Sequence, residues 1–223
     1  MKRISTNALW NNPEASVAYA HIEKCGFPWE ALSHIGEMIA EITNGLDADK
    51  YNVLSGGVWI AKSASIAPTA TIVGPCIIGE DTEVRPGAFI RGNVIVGKKA
   101  VVGNSTELKN CILFDCVQVP HFNYVGDSIL GYKAHMGAGA VTSNVKSDKT
   151  LVTVKMNCER IETGRKKFGA LLGDFVEVGC NSVLNPGTII GKNTSVYPLS
   201  SVRGYVPENS IYKSEDKIVD KLG

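Results

Sequence analysis

From Ile60 to Phe114 every sixth residue is aliphatic or similarly buriable: Ile60, Ile66, Ile72, Ile78, Val84, Ile90, Val96, Val102, Leu108 and Phe114. The register returns at Leu130 and Met136, and again at Leu172, Val178, Leu184, Ile190, Val196 and Val202. Glycine often follows the key position, as at Gly79, Gly97, Gly103, Gly137 and Gly191. A period of six belongs neither to a helix, with 3.6, nor to an alternating strand, with 2. Short parallel strands stacked coil upon coil in a hexapeptide β-helix produce it. Each coil buries its apolar edge only against its neighbours, so residues 58–208 are expected to form a rod with a continuous core.

Composition adds exclusions. The 223 residues are 44% hydrophobic, enough for a sizeable core, and the formal net charge of +1 argues against a nucleic-acid surface. The start, Met1-Lys2-Arg3, leads into a polar stretch without an apolar signal region, and no run of about 18 apolar residues suggests a membrane span. The six cysteines (Cys25, Cys76, Cys111, Cys116, Cys158, Cys180) lack paired zinc-site spacing and read as buriable thiols in a reducing cytoplasm.

Residues 1–57 fall outside the six-residue pattern and read as a helical arm. Asn12-Pro13-Glu14 looks like a cap, a first-turn proline and an early acid, with Gly26 as the stop. A second helix is expected from Pro28, with Trp29, Leu32, Ile35, Ile39 and Ile42 at helical spacing and Gly45 ending it. Its apolar stripe would pack on the rod or on a neighbouring subunit. His21 and His34 read as ordinary surface or packing residues. The rod is interrupted twice. A register shift is expected around Val119-Pro120-His121. A charged loop, 143–168, carries Lys146, Lys149, Lys155, Arg160, Arg165, Lys166 and Lys167; it either replaces whole coils or bulges from one. Such an interruption in a rigid solenoid is usually functional. Residues 209–223 read as a solvated tail.

Few side chains in the rod can do chemistry. Only His121 and His135 lie within it, and a neutral imidazole on a stiff scaffold can serve as a general base near neutral pH. Two histidines without a third cannot form a three-histidine metal site, so no metal is expected.

The segment His121-Phe-Asn-Tyr124-Val-Gly-Asp127, with Ile129-Leu-Gly131 and Met136-Gly-Ala138-Gly139, resembles the acetyltransferase domain of bifunctional glucosamine-1-phosphate acetyltransferase/N-acetylglucosamine-1-phosphate uridyltransferases. Arg85-Pro-Gly-Ala88 and Asn104-Ser-Thr-Glu107-Leu-Lys109 extend the likeness. The stretch 161–173, with Gly164-Arg-Lys-Lys167, is more similar to archaeal sugar-phosphate nucleotidyltransferase/acetyltransferases. The resemblance implies an all-β, left-handed parallel β-helix assembling as a homotrimer, with acetyl-CoA between neighbouring rods. It implies that His121 takes the proton from a sugar amine attacking the thioester. Arg85 and Lys109 would hold the sugar phosphate, Tyr124 and Asn144 the sugar, and the Ala138 backbone amide the thioester and pantetheine.

Three departures from the family pattern bear on this. His135 stands where the bacterial proteins have a sugar-contacting asparagine, so it enters the substrate set in that place. The family's loop lysine has no counterpart at Thr150, and Lys149 is its nearest replacement toward the cofactor. About one extra hexapeptide separates Arg85 from Lys109. The residues before the rod also lack the glycine-rich nucleotide-binding loop of the bifunctional proteins, so uridyl transfer is not expected. The resulting expectation is an acetyl-CoA-dependent N-acetyltransferase for an amino-sugar 1-phosphate, glucosamine 1-phosphate first. Its rivals are a non-catalytic β-helix subunit serving a sugar nucleotidyltransferase and, further off, a metal hydratase.

Overall fold

A computed structural model describes residues 4–156 and 159–221. Cys158 lies outside the described residues; the other five cysteines are free thiols.

The six-residue register becomes a parallel β-helix of three faces. The first face stacks Val58–Ala61, Cys76–Ile78, Val94–Val96, 111–113, 128–130, Ala170–Leu172, Thr188–Ile190 and Tyr205–Val206. The second runs from Ser65–Ile66 through Glu83–Val84, Val101–Asn104, Gln118–His121, His135–Met136, Glu177–Val178 and Ser195–Val196 to Ser210–Ser214. The third carries Thr71–Val73, Phe89–Arg91, 107–109, 124–126, Val141–Thr142, Val183–Leu184 and Ser201–Val202. Hairpins close both ends, with Tyr51–Leu54 antiparallel to Val58–Ala61 and Lys217–Asp220 antiparallel to Ser210–Ser214. Ordered strand therefore extends past both expected boundaries, and the chain beyond 209 buries Tyr212 against the last coil instead of trailing into solvent.

The register shift lies elsewhere than expected. Val119 stacks in phase on Val102, so Val119-Pro120-His121 causes no shift. The corners at Asn110 and Asp127 do, because each turns in one residue fewer: Leu108 is followed by Leu113, and Val125 by Leu130, in the stacked positions. Both corner residues adopt the left-handed conformation (φ 50° and 47°), which Asn and Asp tolerate better than other side chains with a Cβ. Phe114, counted in register on sequence, is displaced by Leu113. It is buried instead under the arm, 5.3 Å from the Trp10 ring and 6.4 Å from Tyr19.

The charged loop bulges from the corner between third and first faces and replaces no coil. Val141–Thr142 stacks directly on Val183–Leu184, and His135–Met136 on Glu177–Val178, across it. Within the loop, Thr153–Met156 pairs antiparallel with Glu159–Glu162.

The arm is more broken than its spacing suggests. Asn12 does cap, accepting from the Glu14 amide, but opens only a 3-10 turn, Pro13–Ala15. Tyr19–Glu23 forms a short helix, Pro28–Ser33 a second 3-10 turn, and Ile35–Thr43 the longest helix. The apolar stripe packs on this chain's own rod. Strands alternate inward and outward side chains. The outward positions of the first face, Ile77, Ile95, Ile112, Ile129, Leu171 and Ile189, are all buried. Each such side chain stabilises by roughly 1.5–3 kcal/mol relative to exposure. Trp10 fixes the docking by donating its indole N–H to the Leu172 carbonyl at 2.8 Å. Asp174, nearly fully buried, accepts from the Asn11 and Tyr132 amides at 2.8 and 2.9 Å. Burial pushes its carboxyl above the ordinary range, although these bonds pull the other way. Among the described residues no helix is long and apolar enough to cross a membrane.

Candidate functional site

The third face stays open over its middle coils, and its two edges hold most of the chemically capable side chains. At the edge shared with the first face, the Asp127 carboxylate accepts from Lys109 Nζ at 3.2 Å, Asn110 Nδ2 at 2.9 Å and Asn144 Nδ2 at 2.6 Å. Asn144 also donates to the Tyr124 hydroxyl at 3.3 Å. Tyr124 leans along its strand over Gly126, where any Cβ would come within 2.5 Å of the phenol oxygen. Burial, followed by the Asp127 and Glu107 carboxylates, pushes the phenol above its ordinary range. One coil earlier, Arg91 donates to Glu107 at 2.6 Å, and that bond raises the guanidinium still further. Arg165, at the base of the loop, donates to Ser33 of the arm and to the Lys167 carbonyl. Its half-burial lowers its own pKa, while nearby Asp127 raises it.

At the edge shared with the second face stands His121, exposed and with its backbone pinned on both sides. Its amide donates to Asn123 Oδ1 at 3.1 Å, and its carbonyl accepts from the Gly139 amide at 3.0 Å. Buried Asn123 also donates to the Gly137 and Ala140 carbonyls, at 2.8 and 3.0 Å. One side-chain amide thus fixes both the His121 backbone and the turn that contains Ala138. Adjacent coils lie about 4.8 Å apart, which sets Ala138 beside His121. The Ala138 carbonyl accepts from Asn181, while among the described residues no backbone carbonyl takes its N–H. Phe122, next to the histidine, is exposed and left-handed (φ 52°) at a corner ladder that also holds Gly87, Ser105, Gly139, Asn181 and Leu199.

The structure therefore brings Lys109, Tyr124 and Asn144 together at one edge, and His121 and Ala138 at the other. Arg85 does not join Lys109. It lies on the His121 edge two coils earlier and pairs with Glu83 at 3.0 Å, whereas Lys109 pairs with Asp127. The two cations stand on different edges and share no partner. His135 is on the second face, its Nδ1 2.8 Å from Glu177, in a shallow groove with Cys116, Gln118 and Lys133. Within one chain it does not meet the other substrate residues, because outward positions of the second and third faces diverge. Lys149 sits in an exposed turn, its amide bonded to the Lys146 carbonyl, on the loop that leaves the opposite corner from Ala138. Among the described residues no three His, Cys, Asp or Glu side chains converge as a metal site would require.

Sequence reading overlooked Arg91, Asn110 and Asn123, and gave Asp127 no role although its motif was in view. A signal was available: residues one coil apart in sequence lie on one ladder, so Arg91 falls under Lys109 and Asn110 under Asp127.

Residues 72–189 match the family model of the GMPPB C-terminal domain. The "Bifunctional protein GlmU" of Methanococcus maripaludis is 33% identical over 199 residues, covering 88% of this chain and 48% of the relative. The "Bifunctional sugar-1-phosphate nucleotidylyltransferase/acetyltransferase" of Sulfurisphaera tokodaii is 33% identical over 188 residues, covering 76% and 47%. The chain spans about half the length of the curated relatives it matches. Among solved structures, the acetyltransferase domain of PglB from Neisseria gonorrhoeae, in complex with acetyl coenzyme A, superposes with a TM-score of 0.39 at 15% identity over 87% of this chain and 79% of that one.

Proposed function

Because the chain belongs to the GMPPB C-terminal domain family, we propose that its open face carries a sugar acetyltransferase, transferring acetyl from acetyl-CoA to the amine of an amino-sugar 1-phosphate. Glucosamine 1-phosphate is the leading substrate. The observation that carries the reading is the pairing of edges on one face: an exposed imidazole beside a backbone donor at one, and a lysine, phenol and amide in one network at the other. The printed names of the relatives, which pair sugar-phosphate and acetyl transfer, support the same class.

In this reading His121 accepts a proton from the amine as its nitrogen bonds to the thioester carbonyl carbon. The Ala138 N–H supports the oxyanion that develops there. The carbon–sulfur bond then breaks, and the proton passes from His121 to the departing thiolate, leaving an amide and free CoA. A positioned general base contributes about 10²–10⁴-fold to such a step. Lys109, Tyr124 and Asn144 hold the sugar phosphate. Arg85 approaches it from the His121 edge, and Lys149 and His135 act only across a groove between copies. A cytoplasmic homotrimer is the proposed assembly, with acetyl-CoA between rods; the arm already occupies the first face, which leaves the other two for association.

One observation favours the rival, a non-catalytic subunit: both proposed phosphate cations already have carboxylate partners. The two readings separate in an assay of thiol release from acetyl-CoA with glucosamine 1-phosphate, galactosamine 1-phosphate and nucleotide-linked amino sugars. Turnover with one of them, lost in His121→Ala by about 10²–10⁴-fold, is expected. A wild type inactive on the whole panel refutes the enzyme and leaves the subunit.

A further inference from the structure

We infer that Asp127 is the positioning residue of the substrate site, setting Lys109, Asn144 and, through Asn144, Tyr124 in one geometry and tying that geometry to the docked arm. This rests on the substrate site proposed above. The Asp127 side chain is only 3% exposed, yet both carboxylate oxygens are engaged, by three side chains from two segments. Oδ1 accepts from Asn110 Nδ2 at 2.9 Å and from Lys109 Nζ at 3.4 Å. Oδ2 accepts from Asn144 Nδ2 at 2.6 Å and from Lys109 Nζ at 3.2 Å. Asn144 opens the charged loop, and the same amide nitrogen reaches the Tyr124 hydroxyl. Three of the groups assigned to the sugar phosphate are thus joined through one carboxylate.

A lysine ammonium is a point charge on a flexible stem, and an asparagine amide can rotate; neither defines a binding geometry without a fixed acceptor. Charge-assisted bonds to a buried carboxylate supply that acceptor. The corner itself is fixed by backbone, since the Gly169 amide donates to the Asp127 carbonyl and the Phe168 amide to the Asn144 carbonyl, closing the loop over it. Asn110 Nδ2 also donates to the Leu32 carbonyl at 3.0 Å, so the arm is held by the same hub. Trp29 packs on Phe168 beside it, with ring centroids 5.8 Å apart. The arm, which has no side chain in the proposed reaction, thereby braces the substrate edge.

Positioning and mere charge make opposite forecasts. Asp127→Asn removes a negative charge next to the place proposed for a phosphate. If Asp127 were only a nearby charge, its loss would tighten binding of the anionic substrate. As a positioning residue, its loss loosens it. The full chain carrying Asp127→Asn is expected to show a KM for glucosamine 1-phosphate about tenfold to a hundredfold higher, the scale that a misplaced contact produces. The KM for acetyl-CoA stays within about twofold, and Asp127→Glu, which moves the carboxylate by one methylene, does not restore the lost affinity. An unchanged or lower KM for the sugar phosphate overturns the inference. A second measurement needs no turnover: amine acetylation by a water-soluble reagent, mapped by mass spectrometry, should modify Lys109 several times faster in Asp127→Asn while exposed Lys62 and Lys217 react at wild-type rates. Equal Lys109 labelling in both proteins also overturns the inference. A wild type that turns over no amino-sugar phosphate fails the parent reading, and the labelling still reports separately whether Asp127 holds the lysine.

Discussion

The first and third faces of the rod are built from the same six-residue register, yet they differ in what their outward positions hold. On the first face these are Ile77, Ile95, Ile112, Ile129, Leu171 and Ile189, all buried, under the arm over the earlier coils and under the loop strand Thr153–Met156 at the Thr188–Ile190 strand. On the third they are Phe89, Glu107, Tyr124, Val141, Val183 and Ser201, with Arg91 and Lys109 alongside, and none of the six is fully buried. The inward core is common to both, so it cannot decide function. A coil spends its inward residues on stacking, and only the outward ones are free to bind an arm or a ligand. The arm converts one face into a second core, and the site is left on another face braced by it at the Asp127 corner.

That contrast is open to attack from either side. The strongest blow to the covered face is Trp10→Ala, which removes a fully buried ring and the hydrogen bond to Leu172. It should cost about 3–5 kcal/mol, read as a lower denaturation midpoint, while kcat per folded molecule stays within about threefold and any loosening of the brace at the Asp127 corner shows in KM for the sugar phosphate. A large loss of turnover in the still-folded variant would mean that the two faces are not separable. Asn123→Ala strikes beneath the open face and leaves two buried carbonyls and the His121 amide short of a partner. It should cost about 1–3 kcal/mol and also lower kcat, because the imidazole and the Ala138 turn lose their common support; a stability loss with kcat intact would detach Asn123 from the site.

The pH dependence sharpens the covered side. Burial raises the Asp174 carboxyl in the folded chain, so its protonated form is the one the fold favours. Its contribution is fully present below the unfolded value, about 4, and is lost as pH rises through the higher folded value. Unfolding free energy measured from pH 4 toward neutrality should therefore carry a downward component that Asp174→Asn removes, whatever that variant does to the midpoint. An unaltered slope would contradict the burial argument. The smallest effect belongs to Glu83→Gln, which breaks a half-exposed pair with Arg85. Stability should change by less than about 1 kcal/mol in chemical denaturation. If Arg85 reaches the phosphate, freeing it should leave KM for the sugar phosphate unchanged or lower, whereas a higher KM would assign Glu83 a part in binding.

Much of the rod was legible because inward stacking repeats along the chain. What escaped was whatever depends on a corner or on a second layer. The five-residue steps at Asn110 and Asp127 look like noise in a six-residue frame, so the shift was assigned to the conspicuous Val119-Pro120-His121. The apolar triplets at 76–78, 94–96 and 111–113 did carry a legible signal. A strand apolar on both faces is covered on both, and this would have marked the first face as a covered one. The arm's short turns escaped for another reason: they are held by contacts with distant residues, such as Trp10 with Leu172 and Asn11 with Asp174, which no local spacing reveals. His121, Ala138, Lys109, Tyr124 and Asn144 were nameable from motif, but their division between two edges required the coil geometry. So did the separation of His135 and Arg85 from Lys109.

The most direct test of the central claim, that chemistry belongs to the open third face, is hydrogen–deuterium exchange of the full chain with and without CoA and glucosamine 1-phosphate together. Slower exchange is expected at 121–126 and 137–144, with the arm-covered strands unchanged. Protection confined to the second-face groove around His135 and Glu177, or to the arm, would contradict the account.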